Sequence, residues 1–117
     1  MVKLDNEKGS ICISSEVFMW LAGDAATRCF GVKGMAGRTK ETGLVQLLRR
    51  ESMTKGVNVR PNEDGSITIE LHIVVDHGVN LAALSHSIMN EVSYKVSTAT
   101  GVNVRCVNVF IDSMTTD

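Results

Sequence analysis

The chain has 117 residues, with 12 Lys and Arg against 13 Asp and Glu, for a formal net charge of −1, which excludes strong non-specific nucleic-acid binding by the whole surface. A 44% hydrophobic share suits one globular domain spanning 1–117 with a core over about 9–112, and the 4% aromatic share leaves Val, Ile, Leu, Met and Ala to fill that core. No stretch approaches the roughly 20 apolar residues of a spanning helix, and the polar opening "MVKLDNEKGS" lacks the apolar run of a signal peptide, so a cytoplasmic protein is expected.

"SICI" (10–13) alternates and reads as a short first strand. "SSEVFMWLAGDAATRCF" (14–30) reads as a helix with Ser14 or Ser15 at its N-cap and Glu16 in the positive first turn. Val17, Leu21, Ala25 and Cys29 form an i, i+4 seam flanked by Trp20 and Phe30. The small-sided "AGDAA" lets another element approach the helix backbone, and Gly31 suits the position that ends the helix. "ETGLVQLLRRE" (41–51) predicts a shorter amphipathic helix, capped by Thr39, with Leu44, Leu47 and Leu48 inward and Arg49 and Arg50 outward.

"GVNVRPNEDGSITIELHIVVD" (56–76) predicts a hairpin that turns at "PNEDG", with Gly65 free to take positive φ. Ile67, Ile69, Leu71, Ile73 and Val75 alternate without a break, while Thr68, Glu70 and His72 face the other side. Residues 80–101 give the clearest helix, from an Asn80 cap to Gly101, with Leu81, Leu84, Ile88, Val92 and Val96 on one face. "VNVRCVNVFID" (102–112) is a last strand. The order β-α-α-β-β-α-β predicts an α+β, two-layer sandwich, a small sheet with helices packed on one face; only the two ends look loose.

"GVKGMAG" (31–37) holds Gly31, Gly34 and Gly37 three apart, with Lys33 between the first two and Arg38 and Lys40 following. It lacks the P-loop pattern, and a helix precedes it where a Rossmann turn needs a strand. "GVKG" meets the GXXG of a KH backbone clamp, but two glycines at that spacing equally give tight turns or close packing. Residues 31–60 carry seven basic and two acidic groups, and the rest carries five basic and eleven acidic. One basic face on an acidic protein follows, with Lys33, Arg38, Lys40, Arg49 and Arg50 as candidates for docking or anion binding. Cys12, Cys29 and Cys106 lack CxxC spacing and read as reduced, mostly buried thiols. His72, Asp76 and His77 lie close in sequence, but a metal would need a further ligand such as His86, and no metal or cofactor is expected. No nucleophile, base and orienter come together, so no catalytic residues and no enzyme are expected.

Four motifs in register carry a resemblance. Gly9, Ile11, Ile13, Ser14, Glu16 and Val17 lead to Ala22, Gly23, Ala25 and Ala26. Gly31, Val32, Gly34, Met35 and Ala36 follow, then Thr100, Gly101, Val104, Val107, Asn108 and Val109. From about Gly9 to Ile111 the chain resembles the alkaline-shock, or envelope stress response, protein family of Gram-positive bacteria in its short YloU-like form. The resemblance implies a non-enzymatic cytoplasmic protein of cell-envelope homeostasis and stress, with no catalytic residues to carry over. It implies a homo-oligomer acting through protein–protein contacts, peripheral to the membrane through a partner. A membrane-anchored relative or a fatty-acid-kinase-type neighbour is the implied partner. The rival reading is a phosphate- or nucleic-acid-binding module that uses the basic glycine segment 31–40 and the nearby arginines, although nucleic acid is the less expected ligand.

Overall fold

The computed structural model describes residues 2–38 and 43–115. Strands β1 (Val2–Asn6) and β2 (Gly9–Ile13) form an antiparallel hairpin. Helix α1 (Ser15–Thr27) follows, then β3 (Val32–Arg38), β4 (Val45–Leu47) and a 3-10 helix, Arg50–Gly56. Strands β5 (Val57–Pro61) and β6 (Ile67–Val75), helix α2 (Leu81–Thr100) and strand β7 (Val104–Met114) complete the chain. The fold is α+β.

β6 is the centre of a five-stranded sheet. β7 runs parallel along one of its edges from Ile67 to Val75. The other edge must therefore be shared, by β5 at 67–71 and β3 at 73–75, both antiparallel. β4 pairs with β3 beyond that. The alternation in β6 decides what lies on each face. Ile67, Ile69, Leu71, Ile73 and Val75 are fully buried in one core with Phe18, Ala22, Ala25 and Ala26 of α1 and Leu84, Ile88, Val92 and Val96 of α2. The opposite face is polar. There Arg60 reaches Glu70 at 3.4 Å, and Asn58 Nδ2 donates to Glu70 Oε1 at 3.0 Å. His72 stacks on Phe110 at 4.7 Å and places Nδ1 2.9 Å from Asp112. The helices thus cover one face of the sheet.

α2 forms where its pattern predicts. The Asn80 side chain accepts from the Ala83 N–H, and Gly101 ends the helix at φ 77°. The β5–β6 turn likewise uses Gly65 at φ 88°. Four other expectations are corrected. The polar start is not loose: the expected first strand forms as β2, and Val2–Asn6 pairs with it as β1. The seam of α1 is rotated by one residue: Phe18, Ala22, Ala25 and Ala26 face the core while Val17 is exposed. The helix expected at 41–51 is not formed over its described part. Val45–Leu47 is a strand and Arg50 opens the 3-10 helix; residues 39–42, including the expected cap, lie outside the described residues. Finally, α1 ends at Thr27 with Arg28 as its C-cap, so Gly31 does not close the helix. Gly31 instead has φ 99° and turns the chain into β3, its carbonyl accepting from the Asp76 N–H at 2.9 Å.

Candidate docking face

β3 decides what the glycine segment can do. Gly34 and Gly37 lie within a hydrogen-bonded strand, not on a loop. A Cβ on Gly34 would stand 2.7 Å from Leu47 Cδ1, and one on Gly37 2.7 Å from Leu48 Cδ2. These glycines let β4 and its continuation close over β3, and Leu48 N–H donates to the Met35 carbonyl at 2.8 Å. The backbone from 32 to 38 is therefore engaged with neighbouring strands and is not an open cradle. Lys33 is exposed at an irregularity where the pairing with β6 slips between Val32 and Gly34. The Arg38 backbone pairs with Val45, but its side chain and the whole of Lys40 lie outside the described residues. Arg49 is exposed immediately before the 3-10 helix.

Arg50 is the expected basic residue that the fold brings into a cluster. Its Nη2 lies 3.1 Å from Asp24 Oδ1. Arg28 Nε lies 3.1 Å and Lys95 Nζ 2.8 Å from Asp24 Oδ2. One carboxylate on α1 thus gathers cations from the end of α1, the 3-10 helix and α2. The Lys95 ammonium, with Arg28 and Arg50 beside it, outweighs burial and lowers the Asp24 pKa to about 2. Three positive charges on one negative leave a surplus, and Arg28 and Arg50 are largely exposed. Glu91 borders the Arg28 side of the cluster.

Arg28, Lys95 and Asp24 were missed as site residues. The i, i+4 spacing of Asp24 and Arg28 is a visible signal in the sequence. Lys95, 71 residues from Asp24, carries none. The small-sided middle of α1 does receive a close neighbour: a Cβ on Gly23 would meet Met53 of the 3-10 helix at 3.4 Å. That contact brings Arg50 to Asp24.

Elsewhere, Phe30 is 96% exposed beside a shallow hollow lined by His77, Val79, Asn80 and Leu84. Cys12 and Cys106 are exposed, against the expected burial, whereas Cys29 is partly buried, which pushes its thiol pKa up and disfavours the thiolate. His72 pairs with Asp112 of β7, not with Asp76. Among the described residues no three His, Cys, Asp or Glu side chains are grouped to hold a metal ion, and no helix is long and apolar enough to cross a membrane.

Residues 3–116 match the model of the alkaline-shock protein 23 family, described by a cell envelope-related function. The chain belongs to this family. It is similar to the uncharacterized protein YloU of Bacillus subtilis, at 34% identity over 97% of this chain and 94% of YloU. An uncharacterized protein of Streptococcus pyogenes is 31% identical over 97% of this chain and 93% of its own length. The uncharacterized YqhY of Bacillus subtilis is 31% identical over 95% of this chain and 83% of its own. No solved structure matches significantly. In this alkaline-shock chain the motif residues serve mostly the fold. Ala22, Gly23, Ala25 and Ala26 are buried on α1, Met35 and Ala36 are buried in β3, and Gly101 ends α2. Arg28, Arg50 and Lys95 lie outside those motifs.

Proposed function

We propose that this alkaline-shock family chain is a non-enzymatic, cytoplasmic protein of envelope stress and homeostasis that works by protein–protein contact. Its basic cluster takes an acidic surface of a partner, and copies self-associate. Any membrane contact then comes through that partner, for which a membrane-anchored relative or a fatty-acid-kinase-type neighbour is the candidate. The observation that supports the reading is the convergence of Arg28, Arg50 and Lys95 on Asp24. Asp24 holds the cations in register, and the exposed guanidinium groups keep nitrogens free for a second carboxylate. Such a patch steers association and sets register more than it adds affinity.

The test is binding of a ten-residue poly-glutamate peptide, compared with an RNA oligonucleotide of equal charge. Peptide binding should weaken steeply with added salt, and the double variant Arg28→Gln/Arg50→Gln should lower its affinity several-fold. Saturable RNA binding lost in the same variant, with no peptide binding, would transfer the cluster to the nucleic-acid reading.

A further inference from the structure

The two outer strands beside β6 differ in how they are protected. Natural sheets blunt exposed edges with Pro, Lys and irregular pairing. β5 carries Arg60 and Pro61 at its end. β7 carries neither Lys nor Pro along its 11 residues. Its pairing with β6 slips twice, around Arg105 and around Asp112, and between these points Cys106–Ile111 pairs regularly. Among the described residues no strand pairs with the far edge of this run. Met89, Asn90 and Ser93 of α2 border a hollow along Val104–Asn108, so the helix layer leaves room beside the edge.

We propose that β7 pairs antiparallel with β7 of a second copy, joining two five-stranded sheets across a two-fold axis at Asn108. This rests on the self-association proposed above and names its surface. Directly opposed residues of an antiparallel pair share a sheet face. Cys106, Asn108 and Phe110 stand opposite Thr68, Glu70 and His72 on the polar face, while Val107, Val109 and Ile111 stand opposite the core residues Ile69, Leu71 and Ile73. The axis must therefore pass through a residue, not between two. At Asn108, Val107 meets the partner's Val109, Cys106 meets the partner's Phe110, and the two Asn108 amides meet each other. Moved to Val109, the axis would set Asn108 against the partner's Phe110 and Cys106 against the partner's Asp112.

Charge selects the direction. Arg105 is exposed and forms no ion pair among the described residues, though Asp64 feels its field. Asp112, mostly buried and already paired with His72, lies at the other end of the run. Antiparallel pairing brings each Arg105 toward the partner's Asp112, whereas parallel pairing brings like charges together. The axis stands perpendicular to the sheet, so both helix layers lie on one side, with Met89, Asn90 and Ser93 of each copy flanking the seam.

The test uses the full chain by light scattering and by disulfide capture. Wild type should be a dimer at about 100 μM. In a Cys12→Ser/Cys29→Ala/Cys106→Ala background, Asn108→Cys should form a disulfide-linked dimer under mild oxidation, and the exposed turn control Glu63→Cys should not. Asn108→Lys places two cations at the axis and should weaken the dimer at least tenfold, with an unchanged melting temperature at concentrations where the wild type is also monomeric. A dimer that neither crosslinks through Asn108→Cys nor responds to Asn108→Lys overturns the edge and leaves self-association standing. A monomeric wild type removes both, and leaves the edge open to a strand from a different protein.

Discussion

Asp24 holds three parts of the molecule at once, and its charge makes that junction sensitive to acid. Its folded pKa of about 2 lies below the ordinary aspartate value of 3.8. The contribution to stability is therefore complete above about pH 4 and fades as pH falls toward 2. Solvent screening of the exposed cations reduces the full linkage value, leaving about 1–2 kcal/mol. Asp24→Asn should narrow the difference in stability between pH 7 and pH 2 by that amount, measured by urea unfolding. An equal pH difference in wild type and variant would detach Asp24 from acid stability. The three glycines separate by mechanism in the same assay. Gly31→Ala meets both a positive φ and Val79 Cγ1 at 3.0 Å, and should cost about 1–3 kcal/mol. Gly34→Ala meets chiefly the end of Leu47, which can swing aside, and should cost about 1 kcal/mol or less; Gly37→Ala also crowds Leu48 Cγ at 3.2 Å and should cost about 1 kcal/mol. The reverse ranking would place the constraint in β3 packing instead of at the turn.

Among the elements, α2 and β6 were legible because each keeps one period over many residues. Leu84, Ile88, Val92 and Val96 repeat every fourth residue, and five β6 residues alternate. Ile88 is fully buried in the core that contains the β6 face. Ile88→Ala should therefore destabilise the chain by about 2–5 kcal/mol, read from the shift in urea midpoint at constant m-value. A loss under 1 kcal/mol would mean that the layer does not depend on this contact. The described part of the stretch 41–51 departs from the expected helix for a physical reason. Leu44, Leu47 and Leu48 fit a helical stripe, but two flush glycines in β3 create a surface that Leu47 and Leu48 cover as extended chain. Nothing local in 41–51 announces that surface. The shifted seam of α1 has a similar origin: Phe18 is drawn into the core at the expense of Val17, because tertiary burial overrides a short repeat.

Over the whole molecule, net charge says little and its placement says more. The basic surplus of 31–60 was visible in the sequence, but the cluster that forms draws on Arg28 and Lys95 from outside it. Among the described residues only Arg50 links the two, because the packing of Met53 against Gly23 had to be known first. The edge of β7 was likewise invisible, since strand order is a property of the assembled sheet. The motif residues, by contrast, were legible from end to end, and they specify turns and core more than contact surfaces.

The parallel pairing of β6 with β7 sets an order of events in time. β5 and β6 are joined by a short turn and can zip together early. β7 waits for α2 to cross over, since Ile67 pairs with Val104 and β3 reaches β6 from as far away as Val32. Closing such loops before any contact rewards them makes a chain fold slowly. In stopped-flow chevrons, Val59→Ala in the hairpin should mainly slow refolding, and Val107→Ala in β7 should mainly speed unfolding. The strand that completes the sheet would then also be the first to let go, so that the lifetime of the native state is governed from its last-formed edge.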